Sequence, residues 1–350
     1  ITLDGSHGEG GGALIRTALA LSTVLNKPFK VSNIRANRPK PGLKAQHLTA
    51  IQALKQMCNA RVTGCKLGSS EITFAPENIK AGTITIDIGT AGSITLLLQS
   101  LIIPALHAPK KVRLNITGGT DVSWSPQIDY FRNIVLPHLR RYTQEITATI
   151  TKRGYYPKGQ GMVQVHITPH KNQPAITATQ QGHLIIVKGI SHASNDLQQA
   201  QVAERQAKTA KLALSQLKVP VDIQATYAET ASTGSGITCW AVFSTDKDDI
   251  SYDQPIILGA DILGEKQKKA ETVGNECANP LLKEIKAEAP VDSHLADHLS
   301  PFLALYGGEI KVAEITEHTK TNIHVCEQFT NTTFKIENNT ITANLQPSQD

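Results

Sequence analysis

Apolar positions recur along this chain in two rhythms, every second residue and every three to four, and the rhythms alternate in a fixed order. After a glycine-rich opening, Leu14, Ala18 and Leu21 mark a helix from Ala13. Residues 29–34 then alternate as a strand, 35–42 are a polar loop, 43–58 repeat as a helix, and short strands follow near 61–62 and 71–74. The same order returns as strand 83–88, loop Gly89-Thr90-Ala91-Gly92-Ser93, helix 94–106 and strand 112–117. A polar loop from Asp121 to Pro126, a helix over 128–140 and strands near 146–152 and 162–168 complete that second copy. A third copy closes the chain, with helix 293–306, strand 309–315, polar loop 316–321, a helix beginning near Asn322, and strands 333–336 and 340–344.

Each copy can set its strands on one face and two helices on the other, so three copies can share one core. Residues 183–276 follow a different order: strand 184–190, a long polar helix over 195–217, strand 221–226, strand 236–244 and an apolar element over 256–263. Residues 172–181 and 268–280 read as connections, being polar or interrupted by proline. The expected fold is therefore α/β (α+β). Three repeated βα units, over 1–182 and 277–350, form a large core domain, and 183–276 form a smaller inserted α/β domain.

A chain of 350 residues with 40% hydrophobic and 19% charged residues fits a globular protein of about two domains. No apolar run reaches the roughly 18 to 20 residues of a membrane span. Five cysteines without a CxxC pair predict reduced thiols and a cytoplasmic protein, and they argue against a zinc site. The net charge of +5 is a mild pointer to a polyanionic partner.

The candidate chemistry gathers in the polar loops. Gly5, Gly8, Gly10, Gly11 and Gly12 precede a helix start, an arrangement that can seat a phosphate or can simply be a tight turn into a core helix. Within it lie Glu9, a candidate metal ligand or base, and Arg16, one turn on. The first polar loop carries Arg35, Arg38 and Lys40, with Gln46 and His47 in the helix behind it, and guanidinium forks suit phosphate oxygens. His318 stands out among twelve histidines because it sits in a polar turn, Glu317-His318-Thr319-Lys320-Thr321-Asn322. His294 and His298 share a helix face at the spacing of a zinc pair, but no HExxH glutamate or third ligand accompanies them.

These stretches resemble the RNA 3′-terminal phosphate cyclase family over nearly the whole chain. The resemblance is carried by Leu3-Asp-Gly-Ser-His-Gly-Glu-Gly-Gly-Gly12 with Arg16-Thr17, by Arg35-Ala-Asn-Arg-Pro-Lys-Pro-Gly-Leu43 with Gln46-His47-Leu48, and by Gly89-Thr-Ala-Gly-Ser93 leading to Gln99. It continues through Gly118-Gly-Thr-Asp121, Arg153-Gly-Tyr-Tyr-Pro157, His294-Leu-Ala-Asp-His298 and His318-Thr-Lys-Thr-Asn322. It implies a core of three similar units, as also seen in enolpyruvyl transferases, plus a small insert.

It also implies ATP as co-substrate, Mg²⁺ or Mn²⁺, and an RNA with a 3′-phosphate end as partner. His318 matches the histidine that the family adenylates. Gln99 and the run His294, Leu295, Ala296, Asp297 and His298 match positions that contact ATP. Glu9, Arg16, Arg35, Arg38 and Gln46 fall in the region that lines the phosphates, with Glu9 also toward the metal. Two positions depart from bacterial members, which have an aromatic residue at His294 and glutamine at His298. The expected reaction converts an RNA 3′-phosphate to a 2′,3′-cyclic phosphodiester through histidine-AMP and RNA-adenylate intermediates, releasing AMP and pyrophosphate. The alternatives are a non-catalytic cyclase-like ribosome-assembly protein, in which the adenylated histidine is absent, and an enolpyruvyl transferase.

Overall fold

In the computed structural model, residues 1–8, 11–170, 172–246, 250–251 and 254–346 are described. Among these residues, four four-stranded sheets build the fold. The first unit holds β1 (Thr2–Asp4), β2 (Phe29–Ser32), β3 (Arg61–Thr63) and β4 (Ile72–Ala75), with helices α1 (Gly12–Leu25) and α2 (Ala45–Cys58). Its strands run in the order β1-β2-β4-β3, the first pair parallel and the others antiparallel.

The second unit repeats that order with β5 (Gly82–Asp87), β6 (Val112–Gly118), β7 (Thr143–Lys152) and β8 (Gly161–Pro169). Its helices are α3 (Ile94–Leu106) and a composite of α4 (Ile128–Tyr130), the π turn Phe131–Val135 and α5 (Leu136–Leu139).

The third unit draws its first strand from far upstream. β9 (Ile176–Ala178) pairs in parallel with β14 (Gly308–Lys311), followed in the sheet by β16 (Thr340–Leu345) and β15 (Thr332–Glu337). The stretch 172–181, expected to be a connection, therefore contains the edge strand that completes the third copy. Three residues are too few to show a period, and β9 is fixed only by its pairing with β14. Helices α8 (Ser293–Tyr306) and α9 (Glu317–Phe329) cover this sheet. The strand expected over 309–315 ends at Lys311.

The insert lies between β9 and α8. It comprises β10 (His183–Ser194), α6 (Val202–Leu214), β11 (Val221–Ala228), β12 (Ser235–Ser244), β13 (Ile256–Leu263) and α7 (Ala270–Lys286), with strand order β11-β10-β12-β13. The long helix expected over 195–217 is broken, with short 3₁₀ turns at Asn195–Leu197 and Ser215–Leu217 flanking α6. Residues 268–280 are mostly helix, which corrects the expectation of a connection there. Val273, Cys277, Leu281 and Leu282 of α7 pack with Val187, Leu214 and Leu258 in a core of the insert's own, so α7 continues past Pro280. A boundary at 276 would divide this helix, and we propose that the insert extends to Lys286. The other units share one continuous apolar core, which joins Leu14 and Leu19 of α1, Leu98 and Leu101 of α3, and Leu299 and Val325 of α8 and α9.

Candidate active site

The opening glycine loop leads into α1 with Gly11 at the N-cap and no side chain closing that cap. An uncapped helix start presents its N–H groups and positive dipole end to an anion. A β-carbon on Gly12 would lie 2.5 Å from His47 Nε2 and 2.8 Å from Arg16 Nη1, so glycine is what allows these side chains to crowd the helix start. One on Gly11 would lie 3.3 Å from Arg38 Nη2. Arg35 joins them, with its Nε buried and lacking a hydrogen-bond partner among the described residues.

The electrostatics of this cluster suit an anion. Burial pulls Arg16 down to about 10, with Asp297 opposing and Arg35 assisting. Burial and the neighbouring Arg38 lower Arg35. Burial, reinforced by Arg16, Arg35 and Lys44, brings His47 down to about 3, so its ring is neutral at pH 7. His47 Nδ1 accepts the Lys44 N–H at 3.0 Å. The ring proton then sits on Nε2, which is buried, partnerless among the described residues and beside Gly12. A donor held in this way costs free energy until something accepts from it.

On the other side of the glycine loop stands α9. Thr316 caps it by accepting the Thr319 N–H at 3.0 Å, which starts the helix at Glu317 rather than near Asn322. His318 is thus the second residue of a helical turn and is half-buried. Asp297, from α8, accepts the hydroxyls of Thr319 at 2.7 Å and Thr316 at 3.1 Å. Burial raises the Asp297 carboxyl, while the Thr319 hydrogen bond and the nearby imidazole of His318 pull it the other way.

The two ends of the chain meet here. Gly8 has a φ of +60°, and a β-carbon on it would lie 2.6 Å from Thr321 Oγ1. His7 stacks on His324 with ring centroids 3.7 Å apart. Thr17 Oγ1 donates to Asn322 Oδ1 at 2.8 Å, and Asn322 Nδ2 donates to the Asp297 carbonyl at 3.0 Å. Glu9, expected near the phosphates and a metal, lies outside the described residues.

Gln99 links the two halves. Its Oε1 accepts from Arg16 Nε at 2.7 Å, and its amide nitrogen lies 3.2 Å from His298 Nε2. Burial, then Arg16 and His294, holds His298 down to about 3, so the neutral ring accepts from the Gln99 amide. Beside this chain a cavity of about 30 Å³ is lined by Thr17, Gln99, Asp297, His298 and Asn322, with apolar walls from α3, the π turn and α8. That is room for about one water.

Other expected residues lie at the edge or outside. Gln46 is half-buried, with its Cβ 3.5 Å from where a Gly92 β-carbon would stand. His294 is exposed, its ring edge-on to Tyr130. Leu295 and Ala296, expected to contact nucleotide, are fully buried in the common core. The Leu295 N–H is bonded to Asp292 Oδ1 and the Ala296 N–H to the Asp292 carbonyl, so neither residue has a group to offer a ligand through side chain or N–H. Among the described residues, no group of three or more His, Cys, Asp or Glu can hold a metal ion. A divalent ion carried in with ATP takes most of its ligands from phosphates and water, with one or two carboxylates from the protein, and the expected carboxylate, Glu9, lies outside the described residues.

Comparison with known families decides what this arrangement belongs to. The profile of the family described as RNA 3′-terminal phosphate cyclase matches residues 7–336. The chain belongs to the RNA 3′-terminal phosphate cyclase family. It is 47% identical to the RNA 3′-terminal phosphate cyclase of Pyrococcus furiosus, over 96% of this chain and 95% of the relative. The protein of that name from Archaeoglobus fulgidus is 42% identical over 97% and 99% of the two chains. One from Saccharolobus islandicus is 45% identical over 94% of each.

Within this cyclase-family chain, the sequence places His47 beside Gln46 among the groups that could clamp phosphates, but it does not display the buried, neutral ring with Nε2 beside Gly12. The signal is a lysine at the N-cap, directly ahead of Ala45, whose N–H needs an acceptor that His47 Nδ1 supplies. The sequence reading missed Thr316 as a helix cap, which a threonine three residues before Thr319 and directly before Glu317 announces.

Proposed function

We infer that this chain is an enzyme that converts an RNA 3′-terminal phosphate to a 2′,3′-cyclic phosphodiester at the expense of ATP. The observation that carries the reading is the meeting of α9, whose capped first turn holds His318 near Asp297, with the glycine loop and the uncapped α1 start ringed by Arg16, Arg35, Arg38 and His47: Thr321 lies against Gly8, and Asn322 bonds Thr17. A nucleophile beside a preorganised anion seat is what phosphoryl and nucleotidyl transfer need.

A terminal phosphate does not cyclise unaided, because O2′ would have to expel an oxide. The neutral His318 ring attacks the α-phosphorus of ATP, forming a P–N bond while the bond to pyrophosphate breaks. The resulting phosphoimidazolium is stabilised by the Asp297 carboxylate, in the manner of buried carboxylate and imidazole pairs. An oxygen of the RNA 3′-phosphate then attacks the same phosphorus, the P–N bond breaks, and His318 is regenerated. O2′ finally attacks the 3′-phosphorus and expels AMP, its proton passing to solvent, in a ring closure favoured because both groups belong to one ribose. Arg16, Arg35 and Arg38 neutralise charge on the phosphates, and His47 Nε2–H donates to one of their oxygens.

The test is gel analysis of a short 3′-phosphorylated RNA incubated with protein and ATP. Conversion to a phosphatase-resistant end that needs ATP supports the reading. An end that stays phosphatase-sensitive with folded protein and ATP contradicts it.

A further inference from the structure

Two surface rings serve neither the core nor the chemistry above. Trp124 is 98% exposed and Tyr156 75% exposed, whereas the chain's other tryptophan, Trp240, is buried. Trp124 also holds a φ of +67°, a conformation bulky residues seldom adopt. Exposed large aromatics on a constrained backbone are an unusual use of surface.

The loops that carry the two rings are fastened side by side. Asp121 and Tyr155 form a parallel bridge, and the Gly154 carbonyl accepts the N–H groups of Thr120 at 2.9 Å and Asp121 at 3.3 Å. Beneath them Arg153 pairs with Asp121 at 3.1 Å and Asp129 at 2.5 Å. Both loops press on the loop before α3. A β-carbon on Gly119 would lie 2.6 Å from the Ala91 carbonyl oxygen, and one on Gly159 would lie 2.8 Å from Ala91 Cα. One residue further, a β-carbon on Gly92 would lie 3.5 Å from Cβ of Gln46, the neighbour of His47. The two ring-bearing loops thus neighbour the loop before α3, which in turn neighbours Gln46 and the cationic start of α1. Lys158, exposed on the Tyr156 loop, adds a cation to the surface.

We propose that Trp124 and Tyr156 form a stacking platform for the unpaired bases just 5′ of the RNA terminus whose phosphate sits at the start of α1. The proposal rests on the cyclase reading in taking an RNA end as the ligand. Every base has a π-face, so two exposed rings beside a cation hold single-stranded RNA without reading its sequence. The paired loops fix the backbone that carries both rings, which limits the backbone ordering cost of binding.

An RNA pentamer with a 3′-hydroxyl end, titrated into wild-type protein without ATP, reads the platform apart from catalysis. Stacking is expected to quench the Trp124 emission. Anisotropy of the fluorescein-labelled pentamer is expected to show affinity reduced about tenfold in Trp124→Ala and in Tyr156→Ala. Trp124→Leu, which keeps bulk without a π-face, should lose as much, and circular dichroism melting checks that each variant is folded. A nucleoside 3′-monophosphate, too short to reach the rings, should bind all these variants as it binds the wild type. Pentamer affinity that is unchanged in all three variants overturns the platform, and with cyclisation intact it leaves the reaction standing. Quenching and weakened binding in a protein that forms no cyclic ends keep the platform and remove the cyclase reading.

Discussion

Thr17 and Asn322, 305 residues apart in the chain, share a buried hydrogen bond of 2.8 Å. Through it the helix that follows the glycine loop grips the helix that carries His318. The same Asn322 side chain donates to the backbone of Asp297 at 3.0 Å, so one amide ties α1, α8 and α9 together. Asn322→Leu leaves the Thr17 hydroxyl and the Asp297 carbonyl without these bonds. A loss of about 1–3 kcal/mol per buried group left unsatisfied is expected, read from urea midpoints, together with slower AMP transfer to the protein. An Asn322→Leu protein with wild-type stability and wild-type transfer would show that this junction does not organise the site.

The joint between insert and core depends on one cation. Arg153 faces the buried carboxylates of Asp121 and Asp129, and Tyr155, His192 and Gln127 extend the polar contact into the insert. Arg153→Met strands two buried charges. It is expected to cost about 3–5 kcal/mol, seen as a lower urea midpoint. If the midpoint stays within error of wild type, those carboxylates are not held by Arg153.

Acid should weaken this fold earlier than carboxylate titration alone would. Burial brings His47, His138 and His298 each down to about 3, against an ordinary value near 6.5. The unfolded chain therefore binds protons below pH 6.5 that the native protein refuses until about pH 3. Stability present above pH 6.5 is lost as pH falls through that window, by up to about 1.4 kcal/mol per pH unit for each ring. Urea midpoints between pH 7.5 and 5.5 should fall, and His298→Gln should lessen the slope by removing one ring. A slope of zero below pH 6.5 would contradict the assignment of neutral buried rings.

Gly12→Ala should damage the anion seat while sparing the rest of the fold. The new methyl would stand 2.5 Å from His47 Nε2 and must displace the donor aimed at the helix start. The apparent KM for a 3′-phosphorylated RNA is expected to rise at least tenfold, about 1.4 kcal/mol, in steady-state assays. An unaltered KM would place the RNA phosphate somewhere other than the start of α1.

Much of this arrangement could be read from the chain before its fold was known, and the exceptions have physical causes. Helices α3 and α8 match their expected bounds because their apolar periodicity is strong and Ser93 and Asp292 cap them. α7 was hidden by Pro280, which suggested a break, although Val273, Cys277 and Leu281 kept a helical stripe through it. β9 has no signal of its own. The polar groups at the start of α1 could be named one by one, but only folding brings Arg35, Arg38 and His47 from a neighbouring loop and helix toward Gly11 and Gly12. The neutrality of His47 depends on burial and on three nearby cations, none of which a linear pattern displays.

The most direct measurement is incubation of the protein with ATP labelled at the α-phosphate, followed by denaturing electrophoresis of wild type and His318→Asn. Acid-labile label on the wild-type chain and none on His318→Asn is the predicted result. Label that survives the substitution, or a wild-type protein that cyclises RNA without ever carrying label, would contradict the assignment of His318 as the nucleophile.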